Sequence, residues 1–355
     1  MKTYDIALLP GDGIGREVVP AAVRVLESAA QGLAFTSFEW GCEYYLRAGE
    51  MMPPDGVELL RPFDAVLLGA IGHPTVPDHV SLRELLLRIR FEFDLYVNLR
   101  PVEILPGLES PLRWKKPDDI HMLFIRENTE GEYAGLGGRF KRGTADEVAL
   151  QETIFTRKGT ERIIRYAFEA ARKRPRKRLA SVTKSNAMQY AMVMWDEVFS
   201  AVARDFPDVE TARYHVDAAA ARMITAPESL EVVVASNLFA DILTDLGGAL
   251  QGSLGLAASA NLNPGGRLGP PVFEPVHGSA PDIEGRGTAN PIAAIWAASM
   301  MMEHLGEAET GNRIFSALQA VTREGRIRTP DLGGNSTTEQ FTSAVIQKIQ
   351  SAAAP

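Results

Sequence analysis

Leu9-Pro10-Gly11-Asp12-Gly13-Ile14-Gly15 follows an apolar run that begins at Tyr4, and it opens a helical pattern reaching about Ala30. Strand, glycine turn and helix in that order would suit a dinucleotide fingerprint, which needs G-x-G-x-x-G and an acid about 20 residues further on. Here the third glycine arrives one position early, at Gly15, and Arg16 stands in the required place. The context is right and the spacing is wrong. A plain Rossmann site at Gly11 is therefore poorly supported.

On either side of the turn the same rhythm continues. Residues 4–9, 35–40, 64–69 and 96–104 read as strands with helical patterns between them. A second alternation follows, with strands at 121–125, 179–183, 211–216 and 231–235 and helices at 160–172, 188–204 and from about Asn237; beyond Pro291 the chain is mainly helical. Strands alternating with helices argue for largely parallel sheets. At 355 residues the chain exceeds what one compact core usually holds, which favours two lobes or an elaborated single domain. The Pro/Gly-rich stretch 263–271 is a loop.

Composition excludes several classes. A net charge of -8 argues against a nucleic-acid surface. The basic run at 172–178 follows a helix and contains Pro175, so a solvated helix end is favoured over a nucleic-acid patch. Cys42 is the single cysteine, which rules out an intrachain disulfide and suits a reducing compartment. The longest uncharged apolar stretch, 291–302, falls short of the roughly 20 residues a membrane helix needs. The apolar run at the start is too short for a signal peptide, so a cytoplasmic location is expected.

Asp241 and Asp245 lie four apart in Asn237-Leu238-Phe239-Ala240-Asp241-Ile242-Leu243-Thr244-Asp245-Leu246, which puts both carboxylates on one helix face. Like charges at that spacing cost roughly 0.2–0.5 kcal/mol unless something neutralises them. A hard cation such as Mg²⁺ or Mn²⁺ would do so; two acids on a wet face is the alternative. The six histidines are scattered and offer no zinc site. Arg90 ends a helical run, while Arg100 and Arg126 each end an apolar strand. In an open α/β sheet the strand ends line the ligand crevice, and guanidinium groups there suit carboxylates. Tyr133 and Lys184 could exchange protons beside a bound cation, or could simply be surface residues.

Taken together, these segments resemble the β-decarboxylating dehydrogenase family, which includes the isopropylmalate, isocitrate, homoisocitrate, tartrate and D-malate enzymes. The likeness runs from Leu9 to Gly334. It is most specific at residues 237–245, at Glu274-Pro275-Val276-His277-Gly278-Ser279-Ala280-Pro281-Asp282-Ile283, and at Ala289-Asn290-Pro291. The resemblance implies a two-lobe α/β fold of the isopropylmalate/isocitrate dehydrogenase type, distinct from a Rossmann domain, in which the chain leaves one lobe and returns to it. The large, cofactor-binding lobe would hold residues 1–99 and 250–355. The small lobe, 100–249, would carry the subunit contact.

The resemblance further implies that Arg90, Arg100 and Arg126 bind substrate carboxylates. Asp217, Asp241 and Asp245 would hold Mg²⁺ or Mn²⁺, Lys184 would act as base and Tyr133 as acid. Glu274, His277, Gly278, Ser279, Ala280, Asp282 and Asn290 would bind the cofactor, with Asp282 favouring NAD over its phosphorylated form by charge repulsion. K⁺ is a further candidate cofactor. A homodimer is implied in which Lys184 and Asp217 of one subunit complete the other's site.

For the substrate, residues 50–56, 76–79 and 126–133 are most similar to the tartrate and D-malate enzymes. Arg83 departs from them, since they usually carry Trp there. It would either meet the ligand or face solvent. Leu86 and Leu87 resemble the apolar wall of isopropylmalate enzymes, which makes that substrate the alternative, followed by homoisocitrate.

Overall fold

The computed structural model describes residues 3–352. Its strands are β1 (Tyr4–Gly11), β2 (Leu33–Ser37), β3 (Ala65–Ala70), β4 (Val97–Glu103), β5 (His121–Glu127), β6 (Gly137–Phe140), β7 (Val148–Gln151), β8 (Arg178–Thr183), β9 (Glu210–His215), β10 (Val232–Ala235), β11 (Ala258–Leu262) and β12 (Val272–Pro275). Ten of them form one sheet in the order β2-β1-β3-β12-β11-β4-β5-β10-β8-β9. The chain builds the first flank with β1 to β3, crosses at β4, builds the far flank, and returns through β11 and β12. That is the leave-and-return path expected from the resemblance.

Each flank is parallel, as strands joined by helical crossovers require. The centre is not: β11 runs antiparallel to β12 and β4, and β4 antiparallel to β5. The expectation of largely parallel strands therefore holds outside the middle. β3 is buried at every residue, the continuous apolar run of a strand covered on both faces. Ala65 and Leu67 point into one core cluster while Val66 and Leu68 point into another. Helix Ile292–His304 has almost no polar stripe, because it packs between the sheet and helices Gly15–Ala29 and Ala308–Glu324.

Three expectations need correction. Arg100 does not end its strand: β4 continues to Glu103 because β5 pairs with it along its whole length. Beyond Leu99 that strand is paired on one side only, which is where Pro101 is tolerated. Arg90 lies inside helix Arg88–Glu92 rather than at its end. The strand at 35–40 stops at Ser37, and the chain turns off towards helix Cys42–Ala48.

The sequence reading also missed β11, β12, the hairpin β6–β7 and helix Val216–Thr225. The loop at 263–271 is real and joins β11 to β12. The basic run is used within the chain. Arg172 and Lys177 meet Asp208, Arg176 meets Glu231, Arg178 meets Glu210 and Arg174 lies against His121. These contacts favour the solvated-surface reading.

Candidate active site

The glycine turn does structural work. The Asp12 carboxylate is buried and accepts from Cys42 N at 2.8 Å and Gly72 N at 3.0 Å, while Ile14 N donates to Ser279 O at 2.9 Å. A Cβ at Gly13 would fall 2.0 Å from Ser279 O. The turn therefore lies directly under the 278–283 loop and supports it.

A cavity of about 210 Å³ opens beside the sheet centre, lined by Arg90, Arg100, Arg126, Tyr133, Asp241, Asp245, Glu274 and the apolar Leu82, Leu86 and Leu87. One continuous helical stretch, Asp78–Ser81, Leu82–Leu87 and Arg88–Glu92, supplies the leucines and Arg90. Its middle is π-helical, a local widening of the helix common at functional sites. β4 and β5 supply Arg100 and Arg126, and helix Asn237–Gln251 supplies the two aspartates. Glu132 accepts from Leu238 N and Ser236 Oγ, both at 3.3 Å, and so caps the start of that helix.

All three arginines are nearly fully buried, and each is held differently. Arg90 Nη2 donates to Glu274 Oε1 at 2.7 Å. Arg100 donates to Asn98 Oδ1 at 2.8 Å and Thr244 Oγ1 at 2.6 Å, with Asp241 Oδ1 3.2 Å away. Arg126 donates to Asn237 Oδ1 from both Nε and Nη2, and its Nη1 meets Asp241. Burial, aggravated by Arg100, pulls the Arg126 guanidinium down to about 9. Three crowded buried cations favour an anionic ligand.

Asp241 resists the rise that burial alone would give, because Arg126 and Arg100 hold its carboxyl below the usual range. Asp245, one helix turn on, is raised by burial and then by Asp241. No protein group bonds to the Asp245 carboxylate among the described residues. Tyr133 Oη donates to Asp241 Oδ2 at 2.8 Å. Burial and Asp241 push its phenol up to about 12, so the proton is retained.

Lys184 and Asp217 are elsewhere. Lys184 Nζ meets Asp217 Oδ1 at 2.7 Å, with side chains 28% and 69% exposed, and neither lines the cavity. The chain thus gathers the arginines, Tyr133, Asp241 and Asp245 but does not bring Lys184 and Asp217 to them. Among the described residues no three metal-binding side chains cluster. A divalent cation fits the Asp241/Asp245 pair chemically, as two hard carboxylate donors one helix turn apart, one of them unpartnered.

The expected cofactor residues divide as well. Glu274 is occupied by Arg90 and by Asn261 Nδ2 at 2.8 Å. His277 Nε2 is buried and has no partner among the described residues, and burial lowers the ring's pKa. Gly278 and Asp282 are exposed, Ser279 is buried, and Ala280 sits at φ +42 in the loop. Asn290 is buried and donates to Asp331 Oδ2 at 2.9 Å. A loop of this kind, with an unpartnered ring nitrogen and a free acid, fits an adenosine moiety. Arg83 does not line the cavity; it is exposed, with its head against the turn at Tyr133–Gly135. Its Nη2 is 3.5 Å from Tyr133 O, and a Cβ at Gly135 would lie 2.0 Å from its Nη1.

The sequence profile described as isocitrate/isopropylmalate dehydrogenase matches residues 5–349. The chain belongs to this family. A probable tartrate dehydrogenase/decarboxylase of Bacillus subtilis is 51% identical over 99% of both chains. The decarboxylating D-malate dehydrogenase of Escherichia coli is 52% identical over 98% of this chain and 99% of its own. The crystal structure of isocitrate dehydrogenase from Methylococcus capsulatus superposes with a TM-score of 0.89 at 35% identity, covering 98% of this chain and 100% of that one. The fold is thus that of the isocitrate/isopropylmalate dehydrogenases and not a Rossmann domain.

Residues missed in the sequence are the ones that aim the arginines in this family member: Asn98, Thr244 and Asn237. Two of them lie in the most specific motif, yet their side-chain types carry no charge to mark them.

Proposed function

We propose that the chain catalyses NAD- and divalent-metal-dependent oxidative decarboxylation of a 2-hydroxy diacid, D-malate or tartrate. The observation that carries this is one cavity lined by three buried arginines and by a carboxylate pair on one helix turn. The relatives named for tartrate and D-malate, half identical along nearly the whole chain, support the substrate choice.

Arg90, Arg100 and Arg126 would grip the two carboxylates, and bidentate guanidinium contacts would fix the substrate's orientation. When bound, Mg²⁺ or Mn²⁺ on Asp241 and Asp245 would stabilise developing oxygen charge, and NAD would accept the hydride. Leu82, Leu86 and Leu87 keep water from one wall. Tyr133 holds a phenolic proton at the cavity, ready for the carbon that loses CO₂.

Lys184 and Asp217 would reach a site from a partner subunit. Exposed apolar residues support a homodimer with shared sites: Tyr190 is 83% and Ile242 58% exposed, and Ile242 lies between the two aspartates on their helix. The hairpin β6–β7 is exposed throughout, with Phe140, Val148 and Leu150 uncovered. Two strands alone are marginal in water, so a partner surface is expected over them.

The lobes would be residues 1–99 with 250–355, and 100–249; the outer limits 1 and 355 fall outside the described residues. A cytoplasmic location is part of the proposal; among the described residues no helix is long and apolar enough to cross a membrane.

The leucine wall favours isopropylmalate as a second reading. NADH production with Mn²⁺ and K⁺ on D-malate, L- and meso-tartrate, isopropylmalate and homoisocitrate decides between them. D-malate should exceed isopropylmalate at least about tenfold in kcat/KM, or roughly 1.4 kcal/mol. The reverse order overturns the substrate assignment, and omitting K⁺ tests its requirement.

A further inference from the structure

A buried arginine is commonly matched by a carboxylate, as Arg90 is by Glu274. Arg126 also meets a carboxylate, that of Asp241, but its other edge is anchored by an amide. Asn237, wholly buried, accepts from Nε at 3.0 Å and from Nη2 at 2.7 Å, the edge-on fork usually given to an acid. Its Nδ2 donates to Glu130 O at 3.2 Å. These partners settle the amide's orientation, since the flipped form would face donors with donors and a carbonyl with a carbonyl.

The oxygen facing Arg126 is therefore neutral. It fixes the plane of the guanidinium and aims Nη1 at Asp241 on the cavity wall, but it cancels none of the charge itself. Arg100 shows the same pattern, anchored by Asn98 and Thr244, so the two arginines share the single carboxylate of Asp241.

We propose that Asn237 is a positioning residue whose neutrality keeps the charge of Arg126 available for a second substrate carboxylate, making the site selective for diacids over monoacids. This rests on the reading that Arg126 binds substrate.

Asn237→Asp separates charge from shape, because it keeps the volume and the fork while adding a compensating charge. Binding is measured by calorimetry with Mn²⁺ and without NAD, so that nothing turns over. The probes are D-malate and D-lactate, which differ by one carboxylate. Asn237→Asp should weaken D-malate binding about tenfold or more and D-lactate binding less than about threefold. In turnover the loss should appear in KM more than in kcat. Asn237→Ala loosens the aim without adding charge, so it should weaken D-malate less than Asn237→Asp does. Thermal melting is recorded for each variant.

D-malate affinity within about twofold of wild type in a folded Asn237→Asp protein overturns the proposal. So does an equal loss for the two acids. Should Asn237→Asp not fold, unchanged D-malate affinity in Asn237→Ala overturns it. Arg126→Met serves as the reference. If it binds D-malate normally, the reading of Arg126 has failed, and the inference fails with it. If it loses affinity while the Asn237 variants do not, the inference alone has failed.

Discussion

Two groups of candidate site residues differ sharply in physical condition. Arg100, Arg126 and Asp241 are linked by short charge-assisted contacts in a buried wall, with each guanidinium further held by neutral acceptors. Lys184 and Asp217 meet each other at 2.7 Å on the surface. An exposed pair of this kind is screened by solvent and contributes too little to fix a catalytic geometry. The first group is preorganised by one chain. The second has acquired no such framework, which is the condition expected of residues that a second chain would finish placing.

The largest expected effect tests that contrast directly. Lys184→Ala and Asp241→Asn should each lower turnover by about 10²–10⁴, the range of a lost general base or comparable group. Mixed and reassorted, about half the dimers carry one of each, and in those one site holds both lesions and the other neither. Roughly a quarter of wild-type activity should return if sites are shared across a two-fold axis. Background activity after subunit exchange, verified by mass, would show each site to lie within one chain.

A second expectation concerns the buried wall alone. Arg126→Met keeps bulk but leaves Asp241 short of a partner, and losing one member of a buried charge pair costs about 2–5 kcal/mol. Diacid kcat/KM should fall at least about thirtyfold by that measure. A loss under threefold would place the wall outside the chemistry.

Glu127, beside Arg126, sharpens the buried side further. Burial outweighs its bonds from Thr129 N and Glu130 N and pushes its carboxyl from 4.5 up to about 7. The folded protein then holds a proton that the unfolded chain releases between those values. Stability should be highest below pH 4.5 with respect to this group, decline as pH rises to 7, and level off above. The full penalty is up to about 3 kcal/mol. Glu127→Gln should flatten that slope in denaturant melts at pH 5 and pH 8; an unchanged slope would assign it to other groups.

The smallest effect lies on the exposed side. Asp282 is exposed, and among the described residues no protein group bonds its carboxylate. Asp282→Ala should narrow the preference for NAD over NADP about tenfold, roughly 1.4 kcal/mol, with little change in melting temperature. Equal use of both cofactors by the wild type would remove Asp282 from the recognition scheme.

What could be read in the sequence follows the same division. Asp241 and Asp245 were legible because helical spacing alone puts them on one face. Arg126 was legible as a charge near a strand end. Asn98, Thr244 and Asn237 were not, since buried polar residues that orient a charge look like ordinary interior residues until their partners are known. β11 was missed for a related reason: Ser259 and Asn261 alternate with apolar neighbours, as in a half-exposed segment, yet both are buried in a hydrogen-bonded network with Asn98. Lys184 and Asp217 show a further limit, because their proposed target is not in their own chain.

Coenzyme redesign would be tempted by the turn at Gly11, where moving one glycine from 15 to 16 completes a phosphate-cradling fingerprint. The packing forbids the graft. Any side chain at position 15 would start 2.1 Å from Pro10 O and 2.6 Å from Ala70 N. Relieving that collision would lift the strand end and loosen Ser279 from Ile14, so the loop proposed to hold the coenzyme would be lost before a new cradle formed. The turn is a keystone shaped like a ligand site, and engineering effort belongs instead at the unencumbered loop above it.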